Sequence, residues 1–158
     1  MFWDKVNIIS YKADGTTKDG FKCILLELMD QTLKERLDEQ KKTGELLDEF
    51  KVWFYFIQII RGVAWLNYYK IIHLDLKADN ILIKRENGIP VVKISDFGNS
   101  KIVDAEKVED QYVSEGVATF KTMPPEMILG KKFGTRADSW ALGCLLYQLC
   151  TLEHPFGS

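Results

Sequence analysis

At 158 residues and 18.2 kDa, with 46% hydrophobic and 28% charged residues, the chain has the make-up of one globular domain with a usable core. A formal net charge of −2 gives no electrostatic reason to expect nucleic acid or an anionic membrane as a partner. Three scattered cysteines (Cys23, Cys144, Cys150) and two distant histidines (His73, His154) exclude a structural zinc site. No leader-like segment opens the chain and no apolar run reaches the roughly 18 residues a membrane span needs. The odd, sparse cysteines suit a reducing, intracellular setting, cytoplasm or nucleus.

In chain order, Asn7–Lys12 and Lys22–Leu28 read as two short strands around the polar, glycine-marked stretch Ala13–Gly20. A two-stranded hairpin is marginal in water, so these strands need covering partners. Thr32 to about Lys41 reads as a short helix with Leu33 and Leu37 on one face. Leu46–Tyr69 is the clearest helix. Leu46, Phe50, Trp53, Ile57, Ile60 and Ala64 set its stripe, widened by Phe54, Ile59, Val63 and Leu66. Ile81–Ile83 and Val91–Ile94 flank a turn at Asn87-Gly88 and predict a hairpin. Asp96 to about Met123 carries no periodicity and is expected to be a long loop. Asp138–Cys150 is apolar nearly all round, which predicts a buried helix.

Three runs carry the chemistry. The first is His73-Leu74-Asp75-Leu76-Lys77-Ala78-Asp79-Asn80, the second Asp96-Phe97-Gly98. The third is Pro124-Pro125-Glu126, followed by Asp138-Ser139-Trp140. In this order and spacing they resemble the catalytic loop, magnesium-binding motif, activation-segment end and helix anchor of eukaryotic protein kinases. The resemblance implies an α+β kinase-like fold, with residues 7–29 as the last small-lobe strands and hinge and 30–158 as a mainly helical large lobe. It also implies transfer of the ATP γ-phosphoryl group to a Ser or Thr hydroxyl of a protein substrate, with Mg²⁺.

By this resemblance Asp75 accepts or orients the acceptor proton, and Lys77 reaches the transferring oxygens. Asn80 and Asp96 offer hard oxygen ligands for Mg²⁺. Lys77 is the serine/threonine-type residue at its position, and Thr119 matches the threonine that bonds back to the catalytic Asp and Lys. Glu27-Leu28-Met29-Asp30 looks like the hinge, with backbone near Glu27 and Met29 on the adenine edge. Leu26 looks like the residue guarding the back pocket, and Leu82 like the apolar residue beneath the ring. His73, Phe97, Gly98, Glu126 and Asp138 take supporting positions, with Asp138 anchoring the catalytic-loop backbone.

Some residues depart from the family pattern. Ala118, Phe120, Thr122 and Pro124 differ from the usual run before the Pro-Glu pair, which touches the peptide-docking surface more than the metal site. Leu74 stands where the family usually has an arginine that pairs with an activation-loop phosphate, so phosphorylation on Ser114 or Thr119 should order that loop less by this route. Taken alone, Leu74 is expected to pack beside His73 and Leu76. The run Asp138–Phe156 is most similar to the NIMA-related kinases.

No Gly-x-Gly-x-x-Gly run occurs in the 158 residues. The resemblance places that loop, the phosphate-holding lysine and its paired glutamate before Asn7, and the last helices of the large lobe after Ser158. The expectation is that the chain made alone folds poorly and transfers little phosphate. The alternative reading is an inactive kinase fragment or pseudokinase that binds nucleotide or protein.

Overall fold

The computed structural model describes residues 7–102 and 120–156. An antiparallel ribbon, β1 (Tyr11–Thr16) with β2 (Lys22–Leu26), precedes the short strand β3 (Gln31–Thr32) and helix α1 (Leu33–Lys42). Helix α2 (Glu49–Tyr68) leads to β4 (Ile71–Ile72). The hairpin β5 (Ile81–Glu86) and β6 (Ile89–Ile94) follows, then β7 (Lys101–Ile102), α3 (Pro125–Ile128) and α4 (Arg136–Thr151). β3, β5 and β6 form one antiparallel sheet, and β4 pairs with β7.

Local chemistry sets these boundaries. Thr32 caps α1 in a reciprocal box: Glu35 N–H donates to Thr32 Oγ1 at 3.1 Å and Thr32 N–H to Glu35 Oε2 at 2.7 Å. Asp48 accepts from Lys51 N–H at 2.8 Å and caps α2, which therefore starts at Glu49 and not at Leu46. Asn87 and Gly88 both have positive φ (51° and 83°), the backbone of a two-residue hairpin turn whose twist matches the strands it joins.

The core lies between α2, the β5–β6 face, α1 and α4. Leu33, Ile59, Ile81, Ile94 and Leu149 are wholly buried there. A smaller cluster holds Ile72, Leu74, Met127, Phe133 and Ala137.

Four expectations need correction. The first strand is Tyr11–Thr16, because Ile8 and Ile9 are taken by β6: Ile9 N–H donates to Ile94 O, and Ile94 N–H to Asn7 O, each at 2.9 Å. The buried face of α2 is Val52, Tyr55, Phe56, Ile59, Val63 and Leu66, while Phe50, Trp53, Ile57 and Ile60 point outward. Gly62 decides that choice, since a Cβ there would sit 2.7 Å from both Asn7 O and Ile94 Cδ1. Residues 96–123 are not wholly without structure, since β7 and a 3₁₀ turn at Phe120–Thr122 lie within them. Finally, α4 buries Ala137, Asp138, Ala141, Cys144, Leu145 and Leu149 but exposes Trp140 and Tyr147. Trp140 stacks on Phe156 with ring centroids 5.4 Å apart. Among the described residues no helix is long and apolar enough to cross a membrane.

Candidate active site

The loop between β4 and β5 is built around two buried groups, His73 and Asp138. Asp138, in the first turn of α4, accepts from His73 N–H at 2.8 Å and from Leu74 N–H at 3.0 Å. Burial pushes its carboxyl up, and these two backbone donors pull it back toward the ionised form. This double acceptance holds Leu74 in the left-handed region, at φ 67°.

His73 Nε2 lies 3.0 Å from Ser95 O, and Nδ1 accepts from Asp75 N–H at 3.3 Å. That pattern requires a neutral imidazole with its proton on Nε2. Burial lowers the His73 pKa and favours the same form, against the opposing pull of the Ser95 carbonyl and of the carboxylates of Asp138, Asp75 and Asp96. The Phe97 ring meets His73 edge-on with centroids 5.0 Å apart.

Asp75 is buried, and its Oδ2 is held on two sides. Lys77 Nζ lies 2.8 Å away and Asn80 Nδ2 donates from 3.0 Å. Asn80 Nδ2 also donates to Asp75 O at 2.9 Å, so its amide hydrogens are turned to Asp75 and Oδ1 is its atom for a cation. A 3₁₀ turn at Ala78–Asn80 delivers Asn80 to the start of β5.

The β5–β6 pairing then brings the other half of the site alongside. Ile81 faces Ile94, and both Ser95 N–H (2.9 Å) and Ser95 Oγ (3.0 Å) donate to Asn80 O. Asp96, one residue on, is exposed at φ 63°, with Gly98 N–H donating to its Oδ1 at 3.3 Å. Asn80 and Asp96 thus flank one end of one hairpin. Among the described residues no cluster of three His, Cys, Asp or Glu could hold an ion by protein groups alone. One carboxylate and one amide oxygen, completed by phosphates and water, is an ordinary holding of Mg²⁺.

A cleft of about 280 Å³ opens nearby. Leu26, Glu27, Met29 and Leu82 line it together with Ile9, Asp30, Gln31, Thr32 and Glu35. The sequence-predicted hinge residues therefore share one cavity, apolar at Leu26 and Leu82 and polar toward α1.

Not every expected residue joins these two groups. Glu126 is half-buried in α3, and its carbonyl accepts from Lys131 N–H at 2.8 Å. Thr119 and Ser114 lie outside the described residues. Leu74 packs with Ile72, Met127, Phe133 and Ala137, not with Leu76, which belongs to the main core.

Sequence reasoning missed Ser95 and Lys93. Ser95 joins His73 to Asn80. Lys93 is 4% exposed and its Nζ lies 2.5 Å from Glu27 Oε1. Burial alone would raise the Glu27 pKa, but Lys93 and the donors at Ser10 outweigh it and hold the carboxyl below its ordinary range. A lone cation within Val91-Val92-Lys93-Ile94 was the available signal.

Known proteins share the sequence pattern and the fold of this chain over nearly its whole length. Residues 4–158 match the family model described as "Protein kinase domain". The chain is 32% identical to mouse (Mus musculus) serine/threonine-protein kinase Nek4 over 153 residues, covering 96% of this chain and 18% of that protein. It is 32% identical to mouse serine/threonine-protein kinase Nek3 (95% and 28%) and 29% identical to human Nek11 (97% and 23%). The chain thus spans under a third of the length of these curated relatives. Among solved structures it is similar to a chain of the yeast RNA Pol II CTD kinase CTDK-1 complex. The TM-score is 0.83 at 28% identity, covering 98% of this chain and 48% of that one.

Proposed function

Because the chain belongs to the protein kinase domain family, of serine/threonine type and related to the Nek kinases, we propose that it carries the acceptor and metal centre of a protein serine/threonine kinase. The observation that carries this reading is the joint placement of Asp75, Lys77 and Asn80 in one hydrogen-bonded group, with Asp96 at the same hairpin end. Each residue alone has bland explanations, such as a turn cap or a surface ion pair. Two polar side chains converging on one buried carboxylate oxygen beside an exposed aspartate have few.

In this reading Asp75 orients the acceptor hydroxyl and receives its proton, with its carboxylate fixed by the Lys77 and Asn80 contacts to Oδ2. Lys77 would also offer its ammonium to the transferring phosphoryl oxygens. ATP with Mg²⁺ supplies the transferable phosphoryl group and neutralises its charge. Asn80 Oδ1 and Asp96 would hold the metal. Leu82 would lie beneath the base and Leu26 would guard the back of the pocket, while backbone at Glu27 and Met29 reads the base's edge. The protein substrate presents Ser or Thr.

A second reading, a nucleotide- or protein-binding module without transfer, draws on the exposure of the ribbon that borders the cleft, where β1 and β2 are open along their whole length. Asp75→Asn separates the two. In the complete protein it should cut γ-phosphoryl transfer from Mg-ATP to protein Ser or Thr by about 100-fold or more while nucleotide affinity stays within about twofold. Transfer unaffected by the change would remove Asp75 from its role. Nucleotide binding with no transfer in the unaltered complete protein would select the second reading.

A further inference from the structure

The contact between Lys93 and Glu27 lies outside the proposed catalytic group, yet it joins the two sides of the nucleotide cleft. Lys93 is on β6, where it faces Leu82 of β5 in register, and Leu82 and Glu27 both line the cavity. The ion pair is enclosed, with side-chain exposures of 5% and 11% at a separation of 2.5 Å. A lysine buried to this degree is tolerable only with a partner, so β6 in its observed place requires a carboxylate there.

Glu27 is held from a second direction too. Its N–H donates to Ser10 O at 3.0 Å, and its Oε1 accepts from Ser10 N–H at 2.7 Å. Three residues on, Asp30 N–H donates to Ile83 O at 2.9 Å and its Oδ2 accepts from Arg85 N–H at 2.7 Å. Residues 27–30 are therefore pinned to the β5–β6 hairpin at both ends. Leu28, at 85% exposure, and Met29 form the span between the pins. The Asp30 pin is backbone-directed and lies at the surface, whereas the tie from Glu27 to β6 is made by one buried cation, beside the bonds to Ser10.

We propose that Lys93 is a positioning residue which, through Glu27, fixes the backbone of residues 27–29 at the rim of the cleft and thereby sets nucleotide affinity. The proposal rests on the kinase reading for the identity of the ligand. The clamp itself rests only on the contacts above.

The test compares the chain with Lys93→Met, Lys93→Arg and the double change Lys93→Met with Glu27→Gln. The readouts are titration with the fluorescent nucleotide mant-ADP in Mg²⁺ and peptide-resolved amide hydrogen exchange. Lys93→Met should weaken mant-ADP binding by about tenfold and speed exchange over residues 26–30 by a similar factor, with α2 protection unchanged. Lys93→Arg should stay within about threefold of the parent on both, since it keeps the charge. If Lys93→Met costs α2 its protection, the double variant, which buries no unpaired charge, decides on the same readouts.

Unchanged exchange over 26–30 overturns the clamp. Faster exchange with unchanged or tighter nucleotide binding overturns the link to affinity. A parent chain that binds no mant-ADP removes the nucleotide reading, and the exchange data alone then judge the clamp.

Discussion

β1–β2 and β5–β6 are both antiparallel hairpins of five or six residues per strand, and they end in opposite surroundings. In β5, Ile81 and Ile83 are buried and alternate with more exposed neighbours, and β6 ends in the buried run Val92–Ile94 against α2. β1 and β2 are exposed at every position, including the apolar Ile24, Leu25 and Leu26. The difference is the presence of a layer to pack on. A β-strand is stabilised by what its faces meet more than by its own propensity. β5–β6 has α2 on one face, with the 73–80 loop at its end. The ribbon joins this body through residues 7–10, through the Glu27–Lys93 pair and through Asp30.

Equal truncations in the two hairpins should therefore give unequal results. Ile83→Ala, at a site 2% exposed, should cost about 2–5 kcal/mol in urea unfolding, combining lost transfer energy with the cavity left behind. Ile24→Ala, at 69% exposure, should stay within about 0.5 kcal/mol. Equal losses at both sites would show that the ribbon is covered and folds with the body.

Next in size is the seam where residues 7–10 pass between α2 and β6. Gly62→Ala places a methyl 2.7 Å from Asn7 O and Ile94 Cδ1. Overpacking of this kind costs about 1–3 kcal/mol, and here it should also speed hydrogen exchange in the ribbon that follows residue 10. A neutral outcome at Gly62 would mean that Asn7 can yield. Its Nδ2 donates to Val92 O at 2.7 Å, deep in the interior, so such yielding would break a buried hydrogen bond.

The same contrast explains what the sequence could tell. The β5–β6 hairpin was legible because two signals agree there: short apolar runs at both ends and an Asn-Gly turn between them. The family resemblance was legible because the residue types and order of the runs at 73–80 and 96–98 match a known arrangement. The buried face of α2 was not, because apolar residues lie nearly all round it and periodicity cannot choose among them. Only the close approach at Gly62 chooses. β1 was misplaced for a related reason, since Ile8 and Ile9 look like strand residues and do bridge a strand, but it is β6. The Lys93–Glu27 pair spans 66 positions, and no local pattern reports a contact at that separation.

The smallest effect comes from two turn glycines with nearly the same backbone. Gly88 and Gly20 have φ of 83° and 84°, and a Cβ at either would meet nothing within 4 Å. Any cost of Gly→Ala is thus conformational at both, about 1 kcal/mol for forcing a side chain into the left-handed region. What differs is which equilibrium bears it. At Gly88 the turn belongs to the hairpin that packs on α2, so Gly88→Ala should lower global unfolding free energy by that amount. At Gly20 the strain falls on a ribbon that can open without the core, so global stability should hold and only hydrogen exchange in β1 and β2 should quicken. Matching losses in the two variants would make the ribbon part of the cooperative unit. Its exposed apolar strand would then have to be stabilised by the few ties to residues 7–10, Glu27 and Asp30 alone.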